Sequence, residues 1–138
     1  MEIEIIISGN PVPLRRPRFS KSHVYDSQAA CKNIVSFEMG CKIKKYQWDP
    51  LLYLGPISIE FRFYMPIPVS LSKKKRLELV DTEHFKKPDI DNLIKFYCDA
   101  ANGVVFKDDS QICELGAAKY YSTKPRTEID IVYFKGED

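Results

Sequence analysis

The segment Ile57-Ser58-Ile59-Glu60-Phe61-Arg62-Phe63-Tyr64-Met65 puts an apolar side chain at every odd position and a mostly polar one at the even positions. Successive side chains of a strand point to opposite faces, so this stretch requires a sheet with one face against a core. Glu2-Ile3-Glu4-Ile5-Ile6-Ile7 begins with the same alternation and reads as a second strand, ended by Gly9, Pro11 and Pro13. Two more strands are expected near Gln111–Tyr121 and over Thr127–Lys135.

Helical patterns separate these strands. Asp26 or Ser27 can cap a helix running to about Tyr46, with Ala30, Ile34, Phe37 and Cys41 as its apolar stripe and Lys42, Lys44 and Lys45 suiting its C-terminal end. Pro66 and Pro68 stop the Ile57–Met65 strand, and Ser70 or Ser72 can cap a short helix carrying Lys73, Lys74, Lys75 and Arg76. After a loop from Asp81 to Pro88, a third helix is expected from about Asp91 to Ala101, closed by Asn102-Gly103. The order predicts an α+β fold, a mixed sheet of about four strands with two to three helices on at least one face. At 138 residues, the chain is read as one domain spanning 1–138.

No uncharged apolar run approaches the roughly 18–20 residues that a bilayer crossing needs. Met1-Glu2-Ile3-Glu4 also puts acids where a secretory signal carries positive charge, so a soluble, cytoplasmic protein without a membrane partner is expected. Cys31, Cys41, Cys98 and Cys113 are too widely spaced for a Cys-x-x-Cys pair and are expected to be reduced, mostly buried thiols. Lys plus Arg number 21 against 19 for Asp plus Glu; a net charge of +2 announces no nucleic-acid partner by itself, so the placement of charge has to decide.

That placement is uneven. From Asn10 to Tyr25 there is no acid, while Arg15, Arg16, Arg18 and Lys21 add four positive charges to what reads as an extended basic loop. The acids that suggest chemistry fall in Lys86-Lys87-Pro88-Asp89-Ile90-Asp91-Asn92-Leu93-Ile94-Lys95. Asp89 and Asp91 can turn toward one point at the start of the third helix, and Lys95, four residues after Asp91, shares its face. Asp108-Asp109-Ser110 sits in a turn that the short Val104–Phe106 segment lets fold back against the helix start. Two or three carboxylates at one point are what Mg²⁺ or Mn²⁺ accepts, with water and a substrate phosphate completing the shell. Taken singly, each feature has an ordinary explanation: a helix cap, a surface ion pair, a turn. Those explanations do not account for the combination, with an uncompensated basic loop beside the acids and no His or Cys cluster to offer other chemistry.

Pro88-Asp89-Ile90-Asp91-Asn92-Leu93-Ile94-Lys95, then Asp99-Ala100, then Asn102-Gly103-Val104-Val105-Phe106-Lys107-Asp108-Asp109-Ser110-Gln111-Ile112 resembles the RusA-type crossover-junction endodeoxyribonucleases, the Holliday junction resolvases of bacteria and their prophages. Gly9-Asn10-Pro11-Val12-Pro13-Leu14-Arg15-Arg16-Pro17-Arg18-Phe19 resembles that family's proline- and arginine-rich opening. The resemblance implies a homodimeric, Mg²⁺-dependent enzyme of DNA recombination and repair that nicks four-way junctions on two opposed strands. It places the acidic triad on Asp89, Asp91 and Asp109 and the essential lysine on Lys95. Asp108 is expected either to support the ligands from behind or to be an alternate ligand, since adjacent acids on a turn point in different directions. Arg15, Arg16, Arg18, Lys21, Lys86 and Lys87 are the candidates for backbone phosphate contacts, with Lys73–Arg76 as a further basic run that reads equally as a solvated helix face. Phe19 and Tyr25 are candidates to stack at a branch point. Leu51–Leu54 is a possible dimer surface, and Trp48 is assigned to core or dimer surface; His23 and His84 receive no role. Two other functions fit the same residues: a metal-dependent nuclease for flaps or forks, and a junction-binding protein without catalysis.

Overall fold

The computed structural model describes residues 1–20, 23–46 and 52–134. In chain order the elements are β1 (Glu2–Ser8), β2 (Arg18–Ser20), β3 (His23–Tyr25), α1 (Ala29–Ile43), β4 (Ile57–Pro66), α2 (Lys73–Leu79), α3 (Ile90–Ala101), β5 (Ile112–Ser122) and β6 (Arg126–Tyr133), with single 3₁₀ turns at Leu52–Leu54 and Asp109–Gln111. Four strands make one mixed sheet in the order β1-β6-β4-β5, in which β4 and β5 run parallel and the other neighbours antiparallel. The expected α+β architecture is therefore present, and the alternation in β4 is obeyed throughout: Ile57, Ile59, Phe61, Phe63 and Met65 are all buried.

Registry aligns the buried faces. Phe61 of β4 lies beside Ile129 of β6, which lies beside Ile5 of β1, so that one sheet face is a continuous apolar surface. Helices α1 and α3 cover it, supplying Val35, Met39, Leu93, Phe96, Tyr97 and Ala100 to the same core. The opposite face carries Glu2, Glu4, Glu60, Glu114, Glu128 and Asp130 against Arg62 and Arg126. Arg62 pairs with Asp130 at 2.7 Å and Glu128 at 3.1 Å, and these bonds hold its guanidinium above the ordinary arginine range.

Three expectations are corrected. Residues 18–25 do not continue the extended loop: β2 and β3 pair as a small antiparallel hairpin, Phe19 opposite Val24. In α1 the stripe Ala30, Ile34, Phe37, Cys41 faces solvent, with Ile34 68% and Phe37 74% exposed. The inward face is Cys31, Val35, Met39 and Ile43, a second apolar row rotated by about 150° from the first. Both rows have helical spacing, so tertiary contacts choose between them. Burial of Val35, Met39 and Ile43 against the core goes with this rotation of α1, in which Lys32 also bonds Asp26 at 2.7 Å and Asp99 of α3 at 3.3 Å. The thiols are free, but only Cys98 is buried; Cys31 is half-buried and Cys41 and Cys113 are exposed, the first because it lies on the outward row. The helix start also shifts slightly, to Gln28 as cap residue, with the Asp26 carboxylate accepting the Gln28 N–H at 2.9 Å. The expected end of the last strand at Lys135 and the Trp48 and Leu51 assignments lie outside the described residues.

Because Met39 is buried and Phe37 is not, Met39→Ala should lower stability by about 2–5 kcal/mol, whereas Phe37→Ala should stay within about 0.5 kcal/mol of wild type. Denaturant unfolding of the two variants checks which row is the core.

Candidate active site

Helix α3 presents its acids because its other side is committed to the core. Leu93, Phe96, Tyr97 and Ala100 are buried against the sheet, which leaves Asp91 and Lys95 outward, 65% and 61% exposed at the side chain. Asp89 occupies the cap position with extended backbone, yet its side chain makes no capping bond. Its carboxylate, 58% exposed, is thus free for another role, with Lys87 Nζ only at 3.9 Å. Asp91 has Lys95 at 3.8 Å, too loose to engage it. Asp89 and Asp91 open onto one shallow cleft of about 720 Å³ whose other walls are His84, Phe85, Lys86, Lys87, Ile90 and Lys119.

The far wall is built by pairing residues 81–88 to the free edge of β5. The Asp81 N–H donates to the Tyr121 carbonyl (2.9 Å), the Tyr121 N–H to the Thr82 carbonyl (2.9 Å) and the His84 N–H to the Lys119 carbonyl (3.0 Å). Lys119 then reaches back: its Nζ donates to the carbonyls of Lys86 and Pro88, both at 2.7 Å. Burial pushes this ammonium down, and the charge of Asp89 opposes the shift. His84 packs on Tyr121 with ring centroids 4.6 Å apart, and its Nδ1 is buried with no hydrogen-bond partner among the described residues. Burial, with the charges of Lys119 and Lys86, holds its imidazole below the ordinary 6.5.

The basic loop is tied to the same place. The Leu14 N–H donates to the Asn92 carbonyl in the first turn of α3 (2.8 Å), and the Val12 N–H to the Tyr97 hydroxyl (3.1 Å). Gln28, buried at the start of α1, accepts from the Arg15 N–H and donates to the Pro13 carbonyl, both at 2.8 Å. Arg15 and Arg16 are therefore exposed cations on a loop bonded to the acidic helix end. Arg18 lies on β2, and Lys21 is outside the described residues. Phe19 and Tyr25 are exposed on the hairpin.

The second acidic pair is placed differently. The Asp108 carboxylate accepts the Ser110 N–H at 3.2 Å in a capping box with Gln111, and hydrogen bonding by the Ser110 side chain first, then by its N–H, holds the carboxyl pKa below the ordinary carboxylate range. Asp109 begins the 3₁₀ turn with its side chain exposed. It lies near Cys98, whose thiol is pushed up to about 12 by burial first and then by the charges of Asp109 and Asp99. Cys98 follows Asp91 by two helical turns, so the turn meets the later part of α3 and Asp109 does not line the cleft with Asp89 and Asp91. Among the described residues, no three His, Cys, Asp or Glu side chains stand close enough to hold a metal together.

A helix opens on two unengaged carboxylates, is bonded to an arginine loop and is followed by an acidic turn; the expected folding of Asp108-Asp109 against the helix start is not seen, because that turn meets the later part of α3. The family model for endodeoxyribonuclease RusA matches residues 8–132. The chain belongs to the RusA endodeoxyribonuclease family. It is also similar to the uncharacterized protein YqaN of Bacillus subtilis (strain 168), with 34% identity over 94% of each chain. Within this RusA member, Asp89, Asp91, Lys86 and Lys87 meet in one cleft, Lys95 stands beside Asp91, and Arg15 and Arg16 stand near the helix start; Asp109 and Asp108 occupy the neighbouring turn. Besides the apolar Phe85 and Ile90, two titratable cleft residues were not legible as such. Lys119 lies in a strand thirty positions downstream, where a lysine signals only an outward face, and His84 had no sequence partner to mark it. No helix among the described residues is long and apolar enough to cross a membrane.

His84 gives a pH test of this geometry. Its folded-state pKa is depressed, so the unfolded chain binds the proton more readily and stability declines as pH falls through 6.5. Thermal unfolding between about pH 7.5 and pH 5 should therefore show a loss in wild type that is smaller in His84→Phe, which keeps a ring against Tyr121 without the titration.

Proposed function

We propose that this chain is a divalent-metal-dependent, structure-selective endonuclease that resolves four-way DNA junctions by paired nicks, acting through one RusA-like domain of residues 1–138. The observation that carries the proposal is the pair Asp89 and Asp91: two carboxylates without internal partners of hydrogen-bonding quality, in one cleft with lysines, on the helix end to which the arginine loop is bonded. All-oxygen donors of this kind suit Mg²⁺, or Mn²⁺, in preference to softer ions. Asp89 and Asp91 would hold the ion; Asp109, the third acid that the resemblance implies in preference to Asp108, whose carboxylate is engaged by Ser110, stands outside their cleft and would have to approach the ion for it to join them. When bound, such an ion supplies an activated water and offsets charge on the phosphate and leaving oxygen. Lys95 contributes a mobile point charge beside Asp91, suited to contacting the scissile phosphate.

Arg15, Arg16, Arg18, Lys21, Lys86 and Lys87 are proposed to bind DNA backbone. The charge map supports this assignment, since the acid-rich sheet face repels phosphate and, among the described residues, Arg15, Arg16, Lys86 and Lys87 lie near the helix start. Such contacts set affinity and salt dependence without reading sequence. Paired nicks on opposed strands need two like sites related by a two-fold axis, so a homodimer is proposed.

The decisive experiment compares purified protein on strand-labelled four-way, forked and linear duplexes, with Mg²⁺ or with chelator. Symmetric nicks confined to the four-way junction and lost with chelator are expected; equal cutting of forks would make the chain a general branched-DNA nuclease, and binding without nicking would make it a junction binder. Asp91→Asn should abolish nicking and keep junction affinity, or raise it, because less negative charge faces the phosphates. Replacing Arg15, Arg16 and Arg18 by Ala should flatten the slope of log K against log salt by roughly 0.9 per lost contact, with the single-turnover rate at saturating protein near wild type.

A further inference from the structure

Lys119 sits where a lysine is not expected. In the parallel β4–β5 register it is beside Phe63, whose side chain is fully buried, so Lys119 faces the helix-covered side of the sheet at its edge. An inward charge of this sort needs partners, and it finds two, the carbonyls of Lys86 and Pro88 at 2.7 Å each. Those carbonyls flank Lys87, and the second belongs to the residue immediately before Asp89. An ammonium has three donors, so the clamp uses two and leaves one on a group that lines the same cleft as Asp89 and Asp91.

The consequence lies in the backbone. Residues 81–84 are already fixed to β5 by three main-chain bonds, and Leu93 N–H donates to the Asp89 carbonyl at the start of α3. Between these anchors, the described main-chain bonds give residues 85–88 no support, and the Lys119 ammonium supplies it. Without it the cap residue Asp89, which has no side-chain bond of its own, would enter the helix from an untethered loop.

We infer that Lys119 is a positioning residue for the proposed metal site: by clamping the carbonyls of Lys86 and Pro88 it fixes where the Asp89 carboxylate stands relative to Asp91. This inference rests on the divalent-ion reading given above. A cation near a cation site also repels, but in an open, water-filled cleft that repulsion is screened, whereas releasing the loop removes the alignment on which chelation depends. Groups that orient metal ligands commonly change metal affinity about 10- to 100-fold when removed.

The test is Mn²⁺ binding to the whole protein without DNA, followed by loss of the free-ion electron paramagnetic resonance signal, alongside thermal unfolding. Lys119→Met, which keeps the stem and removes charge and donors, should weaken Mn²⁺ binding about 10- to 100-fold, while Lys119→Arg, with charge and donors retained, should recover most of it. Equal or tighter Mn²⁺ binding by Lys119→Met would overturn the inference, as would a variant that loses thermal stability while binding Mn²⁺ normally. Should Lys119→Met fail to fold, Lys119→Gln decides in its place, because its shorter amide cannot span both carbonyls; weakened binding supports the clamp and wild-type binding overturns it. A wild-type chain that binds no Mn²⁺ would overturn the metal reading, and the inference with it, whereas a wild type that binds beside an unaffected Lys119→Met overturns the inference alone.

Discussion

Burial of the inward side of α3 holds the site together. Leu93, Phe96 and Tyr97 sit almost fully inside the core, against the apolar face shared by β1, β6 and β4. A helix anchored at those positions has no freedom to rotate, so Asp91 and Lys95, which lie on the remaining arc, are held in solvent whatever their own interactions contribute. The exposed ion pair between them at 3.8 Å adds little to stability and leaves both groups available. Stability and chemistry are thereby separated on opposite sides of one helix.

The edge of β5 solves two problems together. An unpaired sheet edge invites association with other chains, and residues 81–84 cover it with main-chain hydrogen bonds. The same covering segment carries Phe85, Lys86 and Lys87 to the mouth of the cleft and delivers the chain to Asp89. Phe85, 84% exposed, lies on this tethered stretch and not on a free loop. The proline- and arginine-bearing loop is treated in a similar way, since Gln28, Tyr97 and Asn92 hold its backbone and leave Arg15 and Arg16 outward. Cations that must meet a phosphate chain are thus displayed from fixed main chain, which reduces the ordering that binding would require.

Charge separation explains how a chain of net charge +2 can be suited to DNA. Acids dominate the bare sheet face, where Arg62 and Arg126 are internally neutralised by Glu128 and Asp130. Arg15, Arg16, Lys86 and Lys119, which form no ion pair among the described residues, stand instead near the start of α3, so the field that a polyanion meets depends on which side of the sheet it approaches.

The sequence by itself determined the strands at Glu2–Ser8 and Ile57–Pro66, the α+β class, the extent of α3 and the acidic motif with Lys95, because alternation, capping and local spacing are carried by neighbouring residues. Other features were decided only by the tertiary structure. The choice between the two apolar rows of α1 goes with the burial of Val35, Met39 and Ile43 against the core, which periodicity does not contain. The hairpin of residues 18–25 was hidden because its two strands have only three residues each, too few to show a period. Placement of Asp109 near Cys98 followed from how the turn packs on α3, and that of Lys119 against carbonyls 33 and 31 residues earlier from strand order and register, since a parallel β4–β5 pair brings distant positions together by geometry that no local pattern records.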